Sequence, residues 1–369
     1  MSEAAVGATE SLSLLSLTSD DFVREAGKRL PRGSGKARAI FRHMSSSGRF
    51  EPETFGLSNE ACAAYRRQFR FELPVVKQIR EEASEFGMTA KAVLGLSDGY
   101  EIECVFIPMG GEKYTLCISS QVGCKMGCAF CETARLGLIR KLDTSEIIAQ
   151  LYVARFELGW DFKNVVFMGM GEALDNYEAV VQAIRVMNDP GGLGMAQERI
   201  TVCTVGHAEG IRRLAGEGFK RLNLSISLNA VEDALRREIM PIHRRFDLRA
   251  VQEALIAYRP RESFAFGVNY CLMPGINDRE EDARGVAEFC APIGRALVNI
   301  IPYNPGNQPL TRAPSEEETE RFIGLLRAQG LVVRRRLTKG RSVMAACGQL
   351  GNVELRERRR KLRIASQPG

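Results

Sequence analysis

The sequence predicts an α/β fold: a partial, open (β/α)6 barrel with a β-rich lead-in, preceded by a small N-terminal helical accessory domain. Three observations predict it. Short apolar runs alternate with helical spacing from about residue 164 to 336, as repeated βα units around a parallel sheet require. The stretch from Lys91 to Ser119 has strand texture with no helix between its segments. Before it, the connectors Gly33-Ser34-Gly35 and Ser45-Ser46-Ser47-Gly48 separate short helical segments.

Taken in order, residues 1–18 are rich in Ser, Ala and Leu and read as a flexible leader. The accessory domain spans residues 19–90, with a helical pattern to Phe86 and helices expected at Asp20–Arg29, Lys36–His43 and Asn59–Phe71. The barrel and its lead-in span residues 91–350. Lead-in strands are expected at Lys91–Leu94, Tyr100–Ile107 and Tyr114–Ser119, then Asn164–Met168 ahead of a helix capped by Asn176. Further strands fall at Arg199–Val205, Arg221–Leu228, Ala265–Leu272, Leu297–Pro302 and Leu331–Arg336. Helices at Ala208–Ala215, Leu248–Ala257 and Ser315–Gln329 fit between them. Residues 351–369 form a basic C-terminal tail.

The 369 residues, 45% hydrophobic and 26% charged, have the composition of a soluble globular protein. No apolar run is long enough for a membrane span, so no membrane partner is expected. The N-terminus carries Glu3 and Glu10 without the early positive charge of a signal peptide. Ten cysteines in a chain this long do not make a disulfide scaffold, and the cytoplasm, a reducing compartment, is the expected location. Nothing suggests a coiled coil, so a monomer is expected. The net charge of +6 decides little, but its distribution is uneven. From Arg334 to Arg363 eleven Lys and Arg face only Glu354 and Glu357. Such a bias suits either a phosphate backbone or a solvated tail.

The most informative run is Gly123-Cys124-Lys125-Met126-Gly127-Cys128-Ala129-Phe130-Cys131. Iron–sulfur cubes normally take four cysteine thiolates. A C-x3-C-x2-C loop supplies three and leaves one iron open. Structural zinc would need a fourth ligand, from Cys117 or one of three histidines, and no second CxxC or HxxxH pair exists. The spacing, with Phe130 before the last cysteine, resembles the cluster loop of the radical S-adenosylmethionine (SAM) superfamily. That resemblance implies a 4Fe-4S cluster held by Cys124, Cys128 and Cys131, and SAM chelated at the open iron.

Other motifs fall where strands end, the place at which barrel chemistry gathers. Gly169-Met170-Gly171-Glu172 lets backbone approach a ligand closely, because glycine lacks a Cβ. Ser227-Leu228-Asn229 and Asn304 in Pro302-Tyr303-Asn304-Pro305 offer polar groups, although turn capping explains either one singly. Cys117 lies seven residues before the cluster loop, and Cys347 lies beyond the last strand in Ala346-Cys347-Gly348-Gln349-Leu350. Cys62, Cys104, Cys271 and Cys290 read as inert core thiols.

Together, the Thr115-Leu116-Cys117 to Cys131 block, Gly169–Leu174, Met240-Pro241-Ile242, Ile301–Pro305 and Ala346–Leu350 resemble the RlmN/Cfr family of radical SAM RNA adenine methyltransferases. The resemblance covers about residues 35 to 353. It implies an RNA substrate (ribosomal RNA, with tRNA as a second candidate) methylated at adenine carbon 2 or carbon 8. It also implies an RNA-binding role for the accessory domain and an electron donor such as flavodoxin. By the same resemblance, Cys347 is methylated and delivers its carbon to the base, Cys117 releases the product through a transient disulfide, and Glu103 accepts a proton. SAM contacts map to Gly171, Glu172, Cys203, Ser227, Leu228, Asn229 and Asn304. Two departures from the family pattern stand out: Cys203 where a small polar residue is usual, and Ser342-Val343-Met344 in place of an acidic segment. The rival readings are a radical SAM enzyme acting on another RNA base and a non-catalytic, metal-stabilised RNA-binding protein.

Overall fold

The computed structural model describes residues 11–111, 113–258, 261 and 263–351. The expected basic tail from residue 352, and the leader's first ten residues, lie outside them. The described residues divide into two compact units.

Of the described residues, the first unit comprises 11–74, 143–160 and 178–196. It contains helices α1 (Ser19–Arg29), α2 (Ala37–Ser47) and α3 (Asn59–Gln68). Helix α1 starts where Thr18 and Asp21 cap each other reciprocally, and α2 ends on Gly48 in the left-handed region. Phe22, Phe41, Tyr65 and Phe69 meet in its core, with Phe22 and Phe69 edge-on at 4.8 Å. The expected helices are therefore present with small shifts in their ends. The helical pattern expected to reach Phe86 stops at Gln68, and Val75–Ser84 is a strand. The expected domain boundary at residue 90 falls inside the following strand, Gly87–Gly95.

The second unit is built on one ten-stranded sheet: β1 (Val75–Ser84), β2 (Gly87–Gly95), β3 (Glu101–Pro108), β4 (Tyr114–Cys117), β5 (Asn164–Phe167), β6 (Ile200–Thr204), β7 (Asn223–Ser227), β8 (Phe266–Leu272), β9 (Ala296–Pro302) and β10 (Val332–Arg335). Strands are neighbours in strict chain order, β10 at one end and β1 at the other, so the ladder among the described residues is open. The pairings β1–β2, β2–β3 and β3–β4 are antiparallel, and every pairing from β4 to β10 is parallel. The inner parallel strands are short and largely apolar, as strands buried on both faces are, whereas the edge strand β10 is half arginine and partly exposed. Six of them, β5 to β10, follow the cysteine loop, as the partial (β/α)6 reading requires.

Strand β1 escapes the sequence reading because it has almost no buried face. Its sequence Val75-Val76-Lys77-Gln78-Ile79-Arg80-Glu81-Glu82-Ala83-Ser84 is largely exposed along its whole length. An edge strand paired on one side can be polar and charged, which also discourages pairing with another chain. Four further α-helices among the described residues, Glu132–Leu136, Thr144–Tyr152, Asp233–Ile239 and Glu280–Ile293, are not among those expected from the sequence. Among the described residues no helix is long and apolar enough to cross a membrane.

Candidate active site

The site lies in the second unit, at the carboxyl ends of β4 to β9. The segment after β4 is stitched to the segment after β5 by main-chain contacts. Gly169 N donates to Ile118 O at 3.0 Å, Ser120 N to Met170 O at 2.8 Å, and Met170 N to Ser119 Oγ at 2.9 Å. Gln121 then orients the next turn, its Oε1 accepting from Glu172 N at 3.0 Å and its Nε2 donating to Asp175 at 2.8 Å. Gly171, at φ +103°, abuts Gln121 so closely that a Cβ would lie 2.6 Å from the Gln121 Cβ.

This arrangement aims the Glu172 carboxylate at the end of β6. One oxygen accepts from Val205 N at 3.0 Å and the other from Leu174 N at 3.2 Å. Burial pushes this carboxyl up to about 7, against the opposing pull of bonds from Val205, Thr204 and Leu174.

The cysteine loop is fixed from both sides. Cys124 N donates to Gly137 O at 3.2 Å and Ala129 N to Ile239 O at 2.9 Å, while Gly127 packs against Pro241. Cys124, Met126 and Cys128 join Ile239, Met240, Met273 and Tyr303 in one apolar cluster. Helix Asp233–Ile239, missed from sequence, thus backs the loop. Its Arg236 is fully buried and donates to Val205 O at 2.8 Å and Leu228 O at 3.3 Å, joining the ends of β6 and β7.

Cys124, Cys128 and Cys131 line one cavity together with Gly171, Glu172, Cys203, Ser227 and Asn229. Burial raises all three loop thiols, Cys124 to about 12. Among the described residues no group of three His, Cys, Asp or Glu is arranged to hold a single metal ion. A four-iron cube asks for something else, since each thiolate binds a different iron and the three need not converge on one point. Three soft sulfur donors on the wall of an apolar pocket suit such a cluster.

Cys347 lines the same cavity from the other side of the sheet's chain order, beyond β10. Its loop is held by many separate fastenings. Glu132 N donates to Gly348 O at 2.8 Å, Thr133 Oγ1 to Leu350 O at 2.5 Å, and Gln349 Nε2 to Pro305 O at 3.1 Å. Glu82 of β1 accepts from Gly340 N at 2.6 Å and from Ser342 N at 2.8 Å. Lys91 of β2 and Glu103 of β3 form a buried ion pair at 3.1 Å.

Residues 118–287 match the Radical SAM superfamily. Across 354 residues the chain is 37% identical to a probable dual-specificity RNA methyltransferase RlmN 1 of Protochlamydia amoebophila, covering 94% of this chain and 96% of the relative. It is 37% identical over 341 residues to the dual-specificity RNA methyltransferase RlmN of Syntrophobacter fumaroxidans, covering 90% and 94%. The crystal structure of a radical SAM methyltransferase from Sphaerobacter thermophilus superposes with a TM-score of 0.82 at 32% identity, covering 92% of this chain and 99% of that one. The chain belongs to the RlmN family of radical SAM RNA methyltransferases.

Radical SAM enzymes use SAM and a 4Fe-4S cluster, and the cavity unites most of the residues expected to serve them. Gly171, Glu172, Cys203, Ser227 and Asn229 line it with Cys124, Cys128, Cys131 and Cys347. Asn229 is in the left-handed region at φ +58°, its Oδ1 accepting from Cys271 N at 2.9 Å. Leu228 is not in the lining: it is fully buried, and its carbonyl accepts from Arg236. Asn304 lines a neighbouring cavity instead, with a buried Oδ1 that has no hydrogen-bond partner among the described residues.

Cys117 and Glu103 stand outside both linings, on β4 and β3. Glu103, expected to accept a proton, has its carboxylate committed to Lys91 and to Gly351 N. Burial pushes the Cys117 thiol well up, and the nearby thiols of Cys347 and Cys203 push it further. Cys271, which reads from sequence as an inert core thiol, lines the cavity, as does Asn269, which sequence reasoning misses. A lone Asn in the apolar run of β8 is the available signal for the latter.

Proposed function

We propose that this RNA methyltransferase places a methyl group on a ring carbon, carbon 2 or carbon 8, of an adenine in ribosomal RNA or tRNA, with Cys347 as the methyl carrier. The observation that carries the reading is the position of Cys347. It lines both the cavity of the three cluster cysteines and a second cavity lined by Phe86, Asn304, Arg334, Arg336 and Lys339. The second cavity has what a nucleotide needs: cations for phosphate, an aromatic face, and the unpartnered Asn304 Oδ1 for a base donor. A thiol reaching both sides can take up a methyl on one and deliver it on the other.

Cys124, Cys128 and Cys131 would hold the cluster, and Gly171, Glu172, Ser227 and Asn229 would surround SAM. The bound cluster supplies one-electron cleavage of SAM, which provides a hydrogen-abstracting species where direct displacement fails on an unactivated ring carbon. Cys347 takes a methyl from SAM by displacement, losing its thiol proton. After carbon transfer to the base, the adduct gives up its ring proton and returns one electron to the one-electron carrier. The Cys117 thiolate then attacks the Cys347 sulfur; the carbon–sulfur bond breaks as the disulfide forms, and its electron pair stays on the transferred carbon, which takes up a proton to become the methyl group. Two electrons from a reductant then restore both thiols. The N-terminal helical unit is assigned to RNA contact, the electron donor to a flavodoxin-like protein, and the setting to the cytoplasm, with the enzyme working as a monomer.

The test is anaerobic incubation of cluster-loaded protein with SAM, a reductant and unmodified ribosomal RNA, followed by nucleoside mass spectrometry. A carbon-methylated adenosine is expected, absent with Cys347→Ala. Cys117→Ala should accumulate protein covalently attached to RNA. Methylation of a different base would overturn the adenine assignment, and normal turnover by Cys117→Ala would overturn the release step.

A further inference from the structure

Lys91 is a charged residue in the otherwise small and apolar stretch Ala90-Lys91-Ala92-Val93-Leu94, and it is 4% exposed. Buried lysines are rare unless paired. Here the ammonium has two partners, Glu103 Oε1 at 3.1 Å and the Met344 carbonyl at 3.0 Å. The other Glu103 oxygen accepts from Gly351 N at 2.8 Å. One ion pair therefore grips residues 344 and 351, the two ends of the loop whose middle is Cys347.

Strand register explains how the pair reaches that loop. Val93 lies opposite Glu103, Lys91 opposite Val105, and Val105 opposite Cys117. Directly opposed residues of antiparallel strands share a face, as do residues two apart along one strand. Lys91, Glu103 and Cys117 thus project from the same face of the lead-in sheet. Thr89 and Glu82 are opposed and share it too, with Glu82 bound to Gly340 and Ser342 of the approaching chain. The loop lies along the face that carries Cys117.

We propose that Lys91 is a positioning residue: paired with Glu103, it clamps both ends of the 344–351 loop and so holds Cys347 within reach of Cys117. This rests on the reading of Cys347 as carrier and Cys117 as releasing thiol, and it assigns the Glu103 carboxylate to the clamp. The geometry has a chemical consequence. Attack of one thiolate on another sulfur depends on how often the two meet, and a loop without regular structure meets its target only as often as its anchors allow.

The test measures that encounter without RNA or SAM. Cluster-loaded protein is held anaerobically in a glutathione redox buffer, and formation of the Cys117–Cys347 disulfide is followed by alkylation and peptide mass spectrometry. Lys91→Met should slow it at least about tenfold, the equivalent of losing one charge-assisted hydrogen bond. Lys91→Arg should restore most of the rate, because a guanidinium can donate to both partners. Lys91→Met leaves Glu103 buried without its counterion and can misfold for that reason alone. The double variant Lys91→Met/Glu103→Gln carries no unpaired buried charge and should melt near wild type while still forming the disulfide slowly. Wild-type disulfide rates in that double variant, or no disulfide in the wild-type protein, would overturn the proposal. A slow disulfide in Lys91→Met alongside a wild-type enzyme that methylates no RNA would leave the clamp standing and remove the methyl-transfer reading instead.

Discussion

Replacing Gly169 by alanine tests how closely the GMGE turn is pressed against the end of β4. A Cβ at this position would lie 2.5 Å from Ile118 O, 2.6 Å from Ile118 C and 2.7 Å from Ser119 N. All three are backbone atoms, so no side chain can swing aside. Ordinary contact begins at 3.4 Å, and reaching it requires the two segments to part by about 0.9 Å. That separation takes the bonds Gly169 N–Ile118 O, Met170 N–Ser119 Oγ and Ser120 N–Met170 O, now 2.8 to 3.0 Å, beyond hydrogen-bonding distance. At about 1 kcal/mol net for each, the loss is about 3 kcal/mol, at the upper end of what overpacking usually costs.

For the second unit this corresponds to a melting temperature lower by about 5 °C. The assay is thermal unfolding of wild type and Gly169→Ala at matched iron content, because a bound cluster stabilises whichever protein holds more of it. SAM affinity should fall in parallel, since Glu172 follows the same turn by three residues. A variant that melts within about 1 °C of wild type would show that the contact relaxes freely, and the rigid-turn argument would fail.

Gly324 offers the opposite case. It is an exposed position within the helix Glu316–Ala328, and no atom lies within 4 Å of where an alanine methyl would sit. Gly324→Ala should therefore stabilise by about 0.5–1 kcal/mol in urea unfolding, and destabilisation would contradict the helix reading. Glu172 gives a pH signature. Its carboxyl is raised in the fold to about 7 by burial, so between the ordinary value of 4.5 and about 7 the folded chain holds a proton that the unfolded chain has released. The stabilisation is present below that window and is lost as pH rises through it. Glu172→Gln does not titrate, so its melting temperature relative to wild type, without SAM, should climb across the window; a difference flat with pH would sink the assignment.

The parallel part of the sheet is legible in the sequence because buried strands leave a short apolar signature. The strand expected at Asn164–Met168 is present as Asn164–Phe167, and the helix expected at Ala208–Ala215 has those same bounds. The motifs at strand ends are legible for the same reason, since glycines and polar residues stop apolar runs abruptly. Three things are not. Strand β1 has no buried face to declare it. Arg236 looks from sequence like any solvent-exposed helix arginine, and only the packing of Asp233–Ile239 behind the cluster loop buries it. Asn304 and Glu103 carry motif-like sequence neighbourhoods, yet the side of the sheet that each faces is set by register and loop path, which spacing along one chain does not contain.

The lead-in strands explain how Cys347, which lies beyond the last strand, is held against the rest of the cavity. Strands β4 to β7 orient Cys124, Glu172, Cys203, Ser227 and Asn229 directly, because each follows or ends a strand whose neighbours fix it. Cys347 has no such support: it sits in an irregular loop after β10, at the edge of the ladder. An irregular segment keeps one conformation only where its backbone groups find fixed partners. Glu82, Lys91 and Glu103 on the antiparallel strands supply those partners at Gly340, Ser342, Met344 and Gly351. The antiparallel extension thus does for Cys347 what parallel neighbours do for the cluster-side residues. Cys117 is the last residue of β4 and is paired on both sides, with Val105 in the last antiparallel pairing and with Val166 in the first parallel one, so it stands where the two supports meet. A thiol at that junction is fixed relative to both the 344–351 loop and the residues that follow β5, which is the placement that the proposed release step requires.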